Sequence, residues 1–250
     1  MNTRFNPTVN GPLHVGHLYL VLLNRQAARD SGGQFIVRFD DDQTYWDQLF
    51  TREQIKRMAG EMLTDLEWLG ITPDRVTSEH DERSANEEVI RSRLPNPGMI
   101  LADRPALTAR LQPKTKTIPS PYPYTPYLTG VKVVQDWREG IDLLIRGEDL
   151  VTEFSLYCYF CDLAGFPRPL HQYVPRMMRD TVPYGQVLQD LVDDPTLSKT
   201  GGGYTLRAYR EKGWTPAGLL EMAAESTLKD PAGGWTCENV KRQPVLRRCP

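Results

Sequence analysis

Pro12-Leu13-His14-Val15-Gly16-His17 is the stretch on which the reading of this chain turns. Before it, Arg4-Phe5-Asn6-Pro7 reads as a strand end entering a turn rich in Asn, Pro and Gly. After it, residues 18–28 read as a buried helix, with Leu18, Leu22 and Leu23 at helical spacing and Ser31-Gly32-Gly33 stopping it. Residues 34–40 then carry the apolar run Phe35-Ile36-Val37, a central strand. Strand, helix, strand is a βαβ unit with parallel strands and a right-handed crossover, so the fold class is α/β with a doubly wound parallel sheet. The quoted residues sit where strand becomes helix. A helix start presents unpaired N–H groups and a positive dipole end, which suits phosphate. Gly16 lets the backbone approach a ligand closely. His14 and His17 can donate to phosphate oxygens as charge grows on them. A helix cap with one partly buried histidine is the plainer reading of the same residues.

The chain has 250 residues and a formal net charge of −2 at pH 7, enough for one large domain and too balanced for a protein that coats nucleic acid. Local basic character is modest: Pro113-Lys114-Thr115-Lys116, and Arg242 with Arg247-Arg248. No apolar run approaches the length of a membrane span, and Met1-Asn2-Thr3-Arg4 lacks the layout of a signal peptide. A cytoplasmic protein without a membrane partner is the expectation. Four cysteines make no disulfide framework. Cys158 and Cys161 form a C-x-x-C inside an apolar helical run, and Cys237 and Cys249 match it poorly in spacing, so buried helix cysteines are expected and no zinc site.

Further along, residues 48–69 read as an amphipathic helix, 71–78 as a short strand and 81–93 as a helix. Residues 95–129 are rich in proline and read as a loop or small irregular insertion. Residues 132–136 and 141–146 are strand candidates, 148–164 a helix, 171–174 a strand, and 186–192, 205–212 and 216–226 helices. From residue 230 a loose tail is expected.

Three more segments carry charge where ligands bind. Arg38-Phe39-Asp40-Asp41-Asp42 ends the second strand, and in an open α/β sheet that end faces the ligand. Asp40 is suited to an ammonium or a ribose hydroxyl, whereas Asp42 reads as part of a solvated acidic turn. Ile145-Arg146-Gly147-Glu148-Asp149 is again a strand running into a glycine turn and a helix. Arg146 can clamp a carboxylate in a fork, and Glu148 and Asp149 either contact a ligand or complement the helix start. Thr196-Leu197-Ser198-Lys199-Thr200-Gly201-Gly202-Gly203 sets a lysine in a hydroxyl- and glycine-rich loop. Such a loop closes a cation over a polyphosphate, or carries an incidental lysine.

Taken in order, these segments resemble the catalytic core of class I aminoacyl-tRNA synthetases, and within it the glutamyl/glutaminyl group. Arg4-Phe5 through His14-Val15-Gly16-His17 is similar to the family's opening strand and H-I-G-H signature. Gly33-Gln34-Phe35-Ile36-Val37-Arg38-Phe39-Asp40-Asp41 resembles its second-strand motif, and Leu66-Glu67-Trp68-Leu69-Gly70-Ile71 a helix end. Ile145-Arg146-Gly147-Glu148-Asp149, Leu163-Ala164-Gly165 and His171 resemble its second half, Leu197-Ser198-Lys199 its K-M-S-K-S loop, and Tyr209-Arg210-Glu211-Lys212-Gly213-Trp214 with Pro216 the helix that follows. The resemblance implies a Rossmann-like fold and ATP-dependent activation of an amino acid, glutamate or a related acidic or amide one, to an aminoacyl-adenylate. It implies His14, His17 and Lys199 as catalytic residues, and Gly16, Glu148, Leu197 and Ser198 beside them in ATP binding. Arg4, Asp40, Tyr127 and Arg146 would hold the amino acid, with Mg²⁺ accompanying ATP and no protein metal site. It implies a split catalytic domain (residues 1–80 and 130–203), a shortened acceptor-binding insertion (81–129) and a helical C-terminal segment (204–250).

The chain also departs from that family. Thr196 stands where the loop has its first lysine, and Lys132 lies near a position where the glutamyl enzymes have asparagine. The insertion is short and lacks cysteines for zinc, and no anticodon-binding domain is expected. These departures resemble the truncated paralogues such as glutamyl-queuosine tRNA synthetase. The acceptor stays open among tRNA, another nucleic acid, a carrier protein and a metabolite, and a monomer is the simplest expectation. A catalytically lapsed relative that binds nucleotide or RNA is the alternative.

Overall fold

The computed structural model describes residues 1–42, 50–95, 97, 101, 126–174, 178–179, 182–183 and 205–228. In chain order they form β1 (Thr3–Phe5), α1 (Val15–Asp30), β2 (Phe35–Phe39), α2 (Arg52–Trp68), β3 (Arg75–Ser78), α3 (Arg83–Arg93) and α4 (Pro126–Glu139). Then follow β4 (Leu143–Gly147), a 3₁₀ turn (Glu148–Glu153), α5 (Phe154–Ala164), β5 (Leu170–Val174), β6 (Met178–Arg179), β7 (Val182–Pro183), α6 (Leu206–Glu211) and α7 (Pro216–Leu228). β6 and β7 pair antiparallel by themselves.

The main sheet has the order β3-β2-β1-β4-β5, with every pair parallel. The chain walks outward from β1 to β3 and then returns to lay β4 against the other side of β1. That reversal opens a crevice at the C-terminal ends of β1 and β4, the place where open α/β sheets bind ligands. The sheet is Rossmann-like and doubly wound, as the βαβ reading of residues 4–40 requires.

Strand side chains alternate between two buried layers. Phe5, Phe35, Val37 and Phe39 pack on one face with Leu18 and Val21 of α1, Ile55 and Met62 of α2, and Leu206 and Leu219 of the C-terminal helices. Ile36 and Leu144 pack on the other with Ile90 of α3, Val131 and Val134 of α4, and Tyr157 and Phe160 of α5. Since Arg4 pairs in register with Ile36, and Thr3 with Leu143, Arg4, Arg38 and Arg146 all point to this second face.

Residues 132–136, read from the sequence as a strand, are the middle of α4, and residues 126–129 of the supposed irregular insertion are its first turn. Val131, Val133 and Val134 gave the segment its strand character. Burial continues through Gln135 and Asp136, because α4 is covered on two sides, by α3 and α5. Tertiary burial overrides β-branched propensity here, and Pro126 suits a helix's first residue. The segment 148–164 is also divided, into the 3₁₀ turn and α5.

Cys158 and Cys161 both lie buried on α5, the first disulfide-bonded and the second a free thiol that burial pushes up to about 12. Among the described residues no helix is long and apolar enough to cross a membrane.

Candidate active site

The start of α1 supplies one wall of the crevice. His14 precedes the helix in extended conformation, and its backbone N–H donates to Nδ1 of His17 at 3.3 Å. An accepting Nδ1 puts the proton of neutral His17 on Nε2, a donor. The two imidazoles stack at 3.7 Å between centroids, and the edge of Phe5 meets His17. Gly16 leaves room for this arrangement, because a Cβ there would come within 3.1 Å of the His14 ring, which would have to give by a few tenths of an ångström. With no acidic residue in the first turn of α1, the helix does not neutralise its own positive end. Thr205 forms an antiparallel bridge to His14, and the N–H of Leu206 donates to the carbonyl of Leu13 at 2.9 Å. The chain therefore comes back to the histidines only six residues after Lys199.

The floor is the arginine row and its carboxylates. Asp136 of α4 receives Nε and Nη2 of Arg4 at 2.6 and 3.1 Å, Nη2 of Arg38 at 2.7 Å and the hydroxyl of Tyr157 at 2.8 Å. Burial disfavours the charge on both partners, but their attraction outweighs it: Asp136 is held well below the usual carboxylate range and Arg4 is raised. Arg38 reaches on to Glu139 at 2.5 Å. On β4, Nη1 of Arg146 donates to Glu153 at 2.7 Å, and Thr129 donates to the other oxygen of that carboxylate at 3.1 Å. The guanidinium lies over the ring of Tyr157, 5.1 Å from its centroid. Its Nε and Nη2 are buried and carry no hydrogen-bond partner among the described residues.

At the ends of β2 and β3 sits a pair of buried carboxyls. Asp40 accepts from the hydroxyl of Thr8 at 3.1 Å, and Glu79 accepts from the amide of Asn6 at 3.2 Å. Burial and the charge of Asp40 push Glu79 up to about 8. Asp41 and Asp42 lie apart from this pair. Asp41 accepts from Ser78 and the His80 N–H, and Asp42 is ion-paired with Arg83. Asp42 is 5% exposed and is not part of a solvated turn, because His80 and Arg83 of α3 lie against it. His171, 1% exposed among Phe154, Tyr157 and Tyr173, is held by burial at about 3.

The structure thus brings Arg4, Asp40 and Arg146 to one end of the sheet, with His14, Gly16 and His17 on the adjoining turn. Tyr127 and Glu148 contribute backbone to α4 and the 3₁₀ turn, and their side chains lie outside the described set; so do Leu197, Ser198 and Lys199 altogether. Arg38, Glu79, Asp136, Glu153 and Tyr157 complete the network and were not singled out from the sequence. Among the described residues, no group of three His, Cys, Asp or Glu could hold a metal ion.

Comparison with known proteins agrees with this geometry. Residues 1–94 match the family described as tRNA synthetases class I (E and Q), catalytic domain. The chain is 42% identical over 80 residues to Glutamate–tRNA ligase 2 of Cereibacter sphaeroides, covering 32% of this chain and 16% of that relative. It is 40% identical over 75 residues to the Glutamyl-Q tRNA(Asp) synthetase of Rhodobacter capsulatus, covering 30% of this chain and 24% of that one. The matched stretch is thus under a quarter of either relative's length. Among solved structures, the glutamate–tRNA synthetase of Elizabethkingia anophelis superimposes with a TM-score of 0.62 at 18% identity, over 89% of this chain and 60% of that one. Residues 1–94 of this chain are accordingly homologous to the catalytic domain of the class I tRNA synthetases of the E and Q group, and the described chain has the fold of those enzymes.

Proposed function

We propose that this protein activates an amino acid with ATP, glutamate or a close relative, and passes the acyl group to an acceptor, of which tRNA is the first choice. The observation that carries the reading is the meeting at one sheet end of an uncompensated helix start bearing His14 and His17 with a buried, incompletely paired Arg146. The first suits the triphosphate and the second a carboxylate.

In the reaction an oxygen of the substrate's α-carboxylate attacks the α-phosphorus of ATP. The bond from that phosphorus to the bridging oxygen breaks, and pyrophosphate leaves with the electron pair. Charge builds on the phosphate oxygens, where His14 and His17 would donate and Lys199, six residues before Thr205 in the sequence, would add a cation. Asp40 would take the α-ammonium. Mg²⁺ would arrive with the phosphates, whose charge it would neutralise.

ATP–pyrophosphate exchange over all amino acids, with and without total tRNA, tests the reading. Exchange is expected with glutamate or a related acid, and Lys199→Ala, His14→Ala and His17→Ala should each lower it by about 100-fold or more. No exchange with any amino acid under either condition would replace the reading with that of a nucleotide- or RNA-binding relative.

A further inference from the structure

The turn that carries His14 and His17 is held from outside α1. His14 stands at the position before the helix that Ser, Thr, Asp or Asn usually fills, and its backbone is extended. That extended backbone is paired. Thr205 forms an antiparallel bridge with His14, and the N–H of Leu206 donates to the carbonyl of Leu13 at 2.9 Å. Both leucines are buried in the apolar layer that contains α1, so the two paired segments are also packed together. Thr205 is fixed in turn by α6, because its hydroxyl accepts from the N–H of Ala208 at 3.1 Å and caps that helix. With six residues α6 is too short to be stable alone. It is seated on α2, where Arg207 pairs with Glu61 at 2.9 Å and Arg210 lies over the ring of Trp68.

Thr205-Leu206 thus joins the start of α6 to the extended residues before α1. We propose that Thr205 and Leu206 are positioning residues of the reaction, acting through His14. Their backbone holds His14 extended, with its ring stacked on that of His17 and its N–H on Nδ1 of His17. Both imidazoles then face the phosphates in one fixed arrangement. The proposal rests on the amino-acid activation reading and adds to it what keeps the phosphate-handling turn in shape. An ångström's displacement of a reacting contact costs about 100-fold in rate, far more than the loss of one hydrogen bond takes from folding. Placement and stability can therefore be separated by experiment.

Leu206 is the first residue of α6, where proline is tolerated, and Thr205 has the φ of −76° and ψ of 150° that suit a residue before proline. Leu206→Pro and Leu206→Ala both lose the leucine side chain, but only the first loses the N–H. The two full-length variants should unfold at similar urea concentrations. In ATP–pyrophosphate exchange, Leu206→Pro should have a kcat about 10-fold or more below that of Leu206→Ala, with the KM for the amino acid within about twofold. In ¹H–¹⁵N spectra the imidazole resonances of His14 and His17 should match wild type in Leu206→Ala and move in Leu206→Pro. Should Leu206→Pro not fold, Thr205→Ala and Thr205→Ser decide: losing the cap should lower kcat about threefold and move the same resonances, and serine should preserve both. Equal kcat and equal imidazole spectra within a pair of variants would overturn the proposal, as would a loss of kcat without movement of those resonances. If wild type shows no exchange, movement confined to Leu206→Pro keeps the positioning role and removes the activation reading. Exchange in wild type, with Leu206→Pro equal to Leu206→Ala, does the reverse.

Discussion

Two buried groups near the site have pKa values displaced in ways that oppose each other in stability. His171 is held at about 3 by burial, so between pH 3 and 6.5 the unfolded chain takes up a proton there that the folded chain refuses. Its contribution falls as pH drops, by up to about 1.4 kcal/mol per pH unit. Glu79, pushed up to about 8 by burial and Asp40, keeps in the folded chain a proton that the unfolded chain has released. Its contribution is complete below the unfolded carboxyl value and is lost as pH rises toward 8. Between pH 5 and 6.5 the two slopes cancel, and above 6.5 only that of Glu79 remains. His171→Phe should therefore gain stability on going from pH 6.5 to 5, and Glu79→Gln should lose it, the two diverging by at least about 1 kcal/mol. Urea midpoints at pH 5, 6.5 and 8 measure this, and parallel slopes in the two variants would contradict it. Neither role was legible in the sequence. His171 was read as part of a strand and of the family resemblance, with no role attached, and Glu79 was not singled out. Asp40 and Arg146 were legible because each stands at the end of an apolar strand run, whereas Arg4 was implied only by the family resemblance. Arg38 was not legible, because its membership of the same row follows from strand register, which one sequence does not reveal.

The elements that position the chemistry are α1 and α4, and the sequence announced them unequally. α1 is bounded by its own signals, an extended His14 before it and Ser31-Gly32-Gly33 after it. α4 was read as a strand, since what makes it helical is its packing between α3 and α5. The geometry of α1's first turn can be tested apart from its stability. A methyl at Gly16 would meet the His14 ring at 3.1 Å, and that ring is already stacked on His17, so it must shift by some tenths of an ångström or rotate away. The same substitution favours helix, by up to about 1 kcal/mol. Gly16→Ala should thus lower ATP–pyrophosphate exchange by about 10- to 100-fold, as misplacing a reacting contact does, while the unfolding free energy stays within about 1 kcal/mol of wild type. Retained exchange would mean that the placement of His14 does not matter to the reaction.

Across the whole molecule, the sheet separates two apolar layers, one built on α1, α2 and the C-terminal helices, the other on α3, α4 and α5. The proposed substrates bridge them. His14 and His17 belong to the first layer through α1, and Thr205 joins α6 to the same turn. Arg146 and Glu153 belong to the second. On the proposed reading, an aminoacyl-adenylate occupying both regions would link elements on opposite faces of the sheet, whereas ATP or glutamate alone would touch mainly one side. A non-hydrolysable glutamyl-sulfamoyl adenosine supplied at about 100 times its dissociation constant should add about 2.7 kcal/mol. For a chain of this size that corresponds to a rise in melting temperature of roughly 5–10 °C. Its affinity should exceed that of glutamate and of AMP by orders of magnitude, because joining the two halves removes the cost of a second association. Thermal melts with the analogue, with each half alone and with both halves unlinked provide the comparison. A shift from the linked molecule no larger than that from the unlinked pair would show that the histidine turn and the arginine pocket do not form one site.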